Sequence, residues 1–340
     1  MENDLMTRED RERCRLCGGT SHRLVGAAPG YQENRTYTIC ECESCLASFA
    51  FPLEADDALY GHIYRNIRSV PGYNRYYRYA YEVLAWQRPL AYLIRQEESY
   101  WAVARHLRTR RAAGTAPSVL EIGCGMGYFT HALAEDGFSV TGVDISSQAI
   151  AWARDHYGNR YETATLGDLK ARRTKYDAII MNQLVEHLPD INGFIAEALE
   201  LLSRDGELII TTPNKSAFPD ADWETDLPPV HLWWLGEDAM KHLAKQHACE
   251  LVFMDFSTFY DSCVRPRLQA TPVASRKPVL DAQGSVLHGQ ELPPLGGFRR
   301  VLERTGALDI LRRTRAEMSG CVRWHGARGP IIAAVLRRLR

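Results

Sequence analysis

Between Leu120 and Ser146 the chain reads LEIGCGMGYFTHALAEDGFSVTGVDIS. A short apolar run ends in Glu121, glycines follow at 123, 125 and 127, and Asp144 comes 21 residues after Gly123. Glycines so placed let a backbone approach a ligand, and the N-terminus of a following helix favours negative or polar groups. An acid after a second strand can accept from two ribose hydroxyls. Together these types and spacings suit a nucleotide-like cofactor. A second group lies at the front: CRLC at 14–17 and CESC at 42–45, with 24 residues between them. Two such knuckles offer four thiolates to one tetrahedral zinc ion through Cys14, Cys17, Cys42 and Cys45. A closed four-sulfur shell has no open position, so that zinc would be structural. Metal binding would then supply the folding energy of a piece with almost no core. Cys40 receives no role.

The cofactor residues need a scaffold, and the pattern around them supplies one. SVLEIG reads as a buried strand, GYFTHALAEDG as a helix ending at Gly137 and SVTGVDI as a second strand. SSQAIAWARDHYG reads as a helix capped by Ser146 or Ser147. YDAIIMN, ELIITTPN and ELVFMDFS continue the strands, with GFIAEALELLSRDG a helix stopped by Gly206. Repeated βα units of this size predict an α/β, doubly wound, mostly parallel sheet. GPIIAAVLRRLR at the C-terminus is an apolar run bounded by Gly329 and Pro330. It reads as a seventh strand returning to the sheet and leaves 263–325 as an insertion. The chain thus divides into a zinc-ribbon-like module (1–50), a helical lid or substrate segment (51–113), the cofactor domain (114–262) opened by a linker at Gly114–Pro117, and the insertion with the final strand (263–340). In the second piece Leu90, Leu93, Ile94, Trp101, Ala104 and Leu107 recur at the spacing of one amphipathic helix. Residues 61–113 hold ten arginines against three glutamates, interleaved with tyrosine. Such a texture either grips a phosphorylated ligand or nucleic acid, or is a solvated face over a packed one.

Composition narrows the classes. With 340 residues there is ample material for a core, and 45% apolar and 24% charged residues describe an ordinary globular chain. The net charge of −1 argues against a surface built for nucleic acid. The charged N-terminus MENDLMTREDRERC has no apolar h-region, and no run is long enough to span a bilayer, so a cytoplasmic protein is expected. Nine cysteines, an odd number, do not suggest a disulfide framework there.

The glycine loop separates two cofactors. A dinucleotide fingerprint, GxGxxG, requires glycine at 128, where this chain has Tyr128. The form E-x-G-x-G-x-G suits instead a cofactor without a pyrophosphate, whose ammonium acidic and carbonyl groups can hold. This segment resembles motif I of class I S-adenosylmethionine-dependent methyltransferases, and the resemblance extends over roughly residues 115–260. It implies cofactor contacts at Glu121, Gly123, Cys124, Gly125, Gly127, Tyr128, Asp144 and Ile145. TLGDLK resembles the place where such enzymes set an acid near the adenine amino group, which implies Asp168 with Leu169. DAIIMNQLVEHLPD resembles the segment after their fourth strand, and here Asn182 is implied as a contact. PPVHLWWLGEDAM is similar to a stretch on their substrate side. The front end resembles the zinc-ribbon module of sugar C-methyltransferases, whose long C-terminal domain has no counterpart here.

Methyl transfer from a sulfonium is an in-line displacement, so alignment and exclusion of water supply most of the acceleration. A hydroxyl or acidic-carbon acceptor must also lose a proton. His187, beside the presumed cofactor, and His231, among prolines and tryptophans, are the candidate bases. Some relatives bind a divalent ion through E-x-x-E-H and a later histidine; Gln183 stands where the first acid would be, which argues against a magnesium site. The reading favoured is methylation of a small-molecule acceptor: a natural product, sugar or glycan intermediate, with the arginine surplus hinting at an anionic one. RNA methylation and a non-catalytic S-adenosylmethionine-binding role are the alternatives.

Overall fold

The computed structural model describes residues 13–111, 117–217, 227–262, 276–318 and 326–339. Most of the linker at Gly114–Pro117 and residues 263–275 and 319–325 of the insertion lie outside the described residues.

The chain opens with an antiparallel meander of β1 (His22–Pro29), β2 (Thr36–Cys42) and β3 (Ser48–Phe51). Four helices follow: α1 (Asp57–Arg65), α2 (Asn74–Glu82), α3 (Pro89–Leu93) and α4 (Glu98–Arg110). The single helix expected across Leu90–Leu107 is therefore two. Pro89 starts the first, and Glu97 takes an extended conformation before the second. The break is held by polar contacts: Gln96 Nε2 donates to Glu303 Oε1 at 2.9 Å, and Glu97 pairs with Arg75 at 2.9 Å. Leu90, Leu93, Ala104 and Leu107 are all buried, so periodicity identified the inward face but not the interruption.

Alternation then sets in: β4 (Ser118–Ile122), α5 (Tyr128–Glu135), β5 (Ser139–Asp144), α6 (Ser147–Tyr157), β6 (Tyr161–Thr163), α7 (Leu166–Ala171), β7 (Tyr176–Asn182), α8 (Ile191–Glu200) and β8 (Leu202–Pro213). After β9 (Trp233–Trp234) come α9 (Glu237–Gln246), β10 (Cys249–Phe253), α10 (Ser257–Ser262), α11 (Gly297–Thr305), α12 (Ala307–Met318) and β11 (Ile331–Arg338). The large sheet has seven strands in the order β10-β11-β8-β7-β4-β5-β6. Strands β4 to β8 run parallel, and β11 enters antiparallel between β10 and β8. This is the mostly parallel α/β sheet expected, its middle strands apolar because helices cover both faces.

One boundary differs from expectation. Helix α8 ends at Glu200, not at Gly206, and Leu202 already pairs with Tyr176 in β8. Gly206 serves inside the strand, where an added Cβ would stand 2.8 Å from the Tyr176 carbonyl oxygen. The two-residue β9 was not expected. It joins the front meander as a fourth strand, so the small sheet β1-β2-β3-β9 contains a piece of chain from beyond β8. Among the described residues no helix is long and apolar enough to cross a membrane.

Candidate active site

The glycine loop leaves the C-terminal end of β4 at the centre of the sheet. Gly123 N and Cys124 N both donate to the Val143 carbonyl, at 2.8 and 3.0 Å, and this bends the loop over β5. Gly125 and Gly127 have φ of +50° and +74°, which side chains other than glycine rarely adopt. At Gly127 space forbids a side chain as well, since an added Cβ would lie 2.4 Å from Tyr161 Cε1. Asp144 fastens the loop: its carboxylate accepts from Gly125 N at 2.9 Å and from Ser146 N at 2.8 Å. Burial raises its pKa, while those backbone donors favour its charge. Glu121, at the end of β4, is buried and accepts a hydrogen bond from Thr130 Oγ1. Desolvation lifts its pKa to about 8, so an unpaired Glu121 is mostly protonated at neutral pH.

These groups face a cavity of about 1310 Å³. Glu121, Gly123, Cys124, Gly125, Tyr128, Asp144, Ile145, Asn182, His187 and His231 all line it, so most residues singled out in the sequence meet in one chamber. Three do not line it. Gly127 is a packing glycine at the start of α5, its carbonyl accepting from Tyr161 Oη at 2.9 Å. Asp168 is exposed, and its carboxylate is taken by the N-terminus of its own helix: Oδ2 accepts from Thr165 N at 2.8 Å and Thr165 Oγ1 at 2.7 Å. Leu169 is buried in the core beneath α7. The wall here is instead Ala164 to Gly167.

Sequence reasoning expected residues 51–113 to form a lid or substrate segment but named no residue of it as lining the site. Tyr60, Tyr64, Tyr73, Tyr76, Tyr79 and Tyr100, from the helical segment before the sheet, close over the glycine loop. Tyr100 Oη lies 2.6 Å from Tyr128 Oη, and the Tyr76 ring stacks on Tyr128 at 6.4 Å. The signal was the tyrosine-rich texture, whose two readings periodicity could not separate. Its arginines mostly do not reach the cavity. Among described residues only Arg75 lines it, paired with Glu97 and lying over the Tyr76 ring at 4.6 Å.

The two histidines sit together, ring centroids 4.7 Å apart and nearly perpendicular. His187 Nδ1 is 2.6 Å from the Val230 carbonyl and 3.0 Å from Tyr60 Oη. Burial pushes His187 down to about 4 although backbone carbonyls favour its protonated form. His231 is buried and also driven well below the ordinary histidine range, by desolvation first and by His187 second. Both rings are therefore neutral at physiological pH. Glu186 brings a carboxylate oxygen into the same cluster, the donor atoms of the three residues lying within 4.8 Å of one another. His187 Nδ1 donates to the Val230 carbonyl, which fixes the tautomer and leaves Nε2 as the acceptor. Gln183, at the position of the missing acid, turns its amide nitrogen to Thr211 Oγ1 at 3.3 Å. The arrangement offers a neutral imidazole at either ring, with a carboxylate oxygen of Glu186 beside them.

At the other end of the small sheet Cys14, Cys17, Cys42 and Cys45 bring their sulfurs within 4.8 Å of one another. Cys14 and Cys45 are 3.9 Å apart and Cys17 and Cys42 3.5 Å. A tetrahedron with Zn–S of about 2.3 Å has edges of about 3.8 Å, so the four sulfurs fit that ion. The Cys45 thiol donating to Cys14 brings the latter down to about 5, towards the thiolate form that ligates metal. Cys40 is buried outside this group.

Residues 93–252 match a family described as "Methyltransferase domain". The chain is 34% identical over 151 residues to a probable S-adenosylmethionine-dependent methyltransferase of Mycobacterium tuberculosis, covering 43% of this chain and 54% of that protein. It is 29% identical over 121 residues to the ubiquinone biosynthesis O-methyltransferase of Haemophilus ducreyi, covering 33% and 51%. The chain thus spans about half the length of the curated relatives it matches. Among solved structures it is similar to a plantazolicin methyltransferase in complex with SAH, at 13% identity and a TM-score of 0.42, covering 84% of this chain and 98% of the other.

Proposed function

We propose that the chain is a class I S-adenosylmethionine-dependent methyltransferase that methylates a small-molecule acceptor with His231 as the base, a reading supported by the match of residues 93–252 to a methyltransferase domain and by the similarity to a probable S-adenosylmethionine-dependent methyltransferase. The observation that carries the reading is the shared cavity: the glycine loop, Asp144 and the histidine pair face one chamber roofed by tyrosines. In it Glu121 holds the cofactor's ammonium, Asp144 the ribose hydroxyls and Ala164–Gly167 the adenine. The acceptor enters between the tyrosines and His231. Neutral His231 takes the proton from a hydroxyl or acidic carbon as the methyl group arrives. An aromatic wall whose one lining arginine among the described residues is paired with Glu97 suits an acceptor with an apolar or ring-bearing body, such as a natural-product or glycosylated intermediate. The test is to supply S-adenosylmethionine with panels of phenolic, carbohydrate and carboxylate acceptors and to measure S-adenosylhomocysteine released. Methyl transfer to RNA alone would overturn the reading.

The Glu121 assignment carries its own prediction. A carboxyl that titrates near pH 8 when free must ionise to pair with an ammonium, so binding releases a proton. The affinity for S-adenosylhomocysteine is expected to rise about fifty-fold between pH 6 and pH 8 and then level off, as a group with a free pKa of about 8 dictates. Glu121→Gln should be weaker at pH 8 and flat across the range. Wild-type affinity that does not change with pH would remove Glu121 from the ammonium site.

A further inference from the structure

We propose that the four-cysteine module is a clamp on the acceptor side of the cavity: metal held there sets the position of His231 and leaves the cofactor side alone. This rests on the methyltransferase reading and assigns the module a task within it.

The connections run through a few residues. Cys42 ends β2 and Cys45 lies in the turn before β3, so two of the four sulfurs bracket one hairpin. That turn is closed by Cys42 N donating to the Ala47 carbonyl at 2.9 Å. The outer edge of β3 is paired with β9, Ser48 opposite Trp234 and Phe49 opposite Trp233. Ala50 N donates to the Leu232 carbonyl at 2.8 Å, and Tyr31 N to the Pro228 carbonyl at 2.7 Å. His231 falls between those two anchor points. On its other side the loop is tied to the turn that follows β7: Leu232 N to the Glu186 carbonyl at 2.8 Å, Trp233 Nε1 to the Leu188 carbonyl at 2.9 Å, and Val230 O to His187. The first knuckle is fixed to the large sheet's helices by Asn192, whose Nδ2 donates to the carbonyls of Arg15 and Leu16.

The cofactor side has no such dependence. The glycine loop bonds to Val143 and Asp144, all within the large sheet. Phe49 and Ala50 seat β3 in the core, and the ion closes the turn between Cys42 and Cys45 that leads into it, so metal adds rigidity to β3 and through β3 to the loop of His231. Losing the ion frees one wall of the cavity and spares the other.

The experiment uses the full chain with its metal measured by elemental analysis, then stripped by a chelator. Hydrogen exchange over 227–234 and at Ala50 is expected to accelerate by about tenfold or more, reporting local opening. The S-adenosylhomocysteine affinity should stay within about twofold. Phe49→Ala keeps all four cysteines but removes the ring packed 5.5 Å from Trp233. It should retain metal, show the same exchange signature, and lower kcat with an unchanged KM for S-adenosylmethionine. Unchanged protection after metal loss overturns the clamp. So does a cofactor affinity that falls in step with the metal, which would make the module a general scaffold, and so does a zinc-replete preparation that holds no ion. A metal-loaded protein that never binds S-adenosylhomocysteine instead sinks the methyltransferase reading, and the exchange result still decides the clamp.

Discussion

Asp144→Ala is expected to weaken binding of S-adenosylhomocysteine by at least about a hundredfold, the equivalent of about 3 kcal/mol. The carboxylate works twice. Toward the protein it accepts from Gly125 N and Ser146 N, which holds the glycine loop down on β5. Toward the cavity its remaining lone pairs are the proposed acceptors for the ribose hydroxyls. Hydrogen bonds to a charged group contribute about 1.5–3 kcal/mol each, so losing loop and ligand contacts together reaches the stated size. Asp144→Asn separates the two tasks. It keeps the shape, but one oxygen becomes an amide that meets a backbone N–H with another donor, so an intermediate loss is expected. Calorimetric titration gives the affinities, and thermal melting of each apo variant shows whether the fold has survived. An alanine variant that melts normally and binds like the wild type would move the ribose elsewhere.

The residues most legible in the sequence are those whose role is local. The apolar run of β4, the glycines after it and the acid ending β5 lie within 30 residues, and βα alternation alone places them at one sheet end. The final strand was readable for a similar reason, as an apolar run with Gly329 and Pro330 before it. Asp168 has a local role that the sequence reading passed over: Thr165 and Asp168 form a capping box, with the Thr165 side chain accepting from Asp168 N. That spacing was visible in TLGD, and it gives Oδ2 of the acid that resemblance had assigned to adenine a partner on its own helix. What the sequence could not yield is long-range. Nothing in the pattern of WW at 233–234 says that it pairs with SF at 48–49, because a two-residue strand has no periodicity to read. The tyrosine wall is a middle case. Helical spacing pointed to a buried face over residues 90–107, and the tyrosines before it were visible only as texture, with nothing to say that they meet a cofactor loop rather than plain core.

His231→Ala is expected to lower kcat by about 10²–10⁴, the range for removing a positioned general base, with the affinity for S-adenosylhomocysteine unchanged. The pH profile distinguishes this role from mere packing. A base works in its neutral form, and burial beside His187 holds the pKa of His231 well below the ordinary value. The sign follows: as pH falls from 8 through 6.5, where a free histidine would protonate, the wild-type rate should hold, and it should fail only at lower pH. Without the imidazole the acceptor must lose its proton to solvent, so the residual rate of the alanine variant should climb with pH where the wild type is flat. His187→Ala should act differently. It removes the ring that holds the Val230 carbonyl and so displaces His231 without deleting it, giving a smaller loss in kcat and keeping the flat profile. If the two variants exchange these behaviours, His187 is the base and His231 the support. If neither changes the slope, the proton leaves without either imidazole, and His231 serves only to shape the acceptor wall.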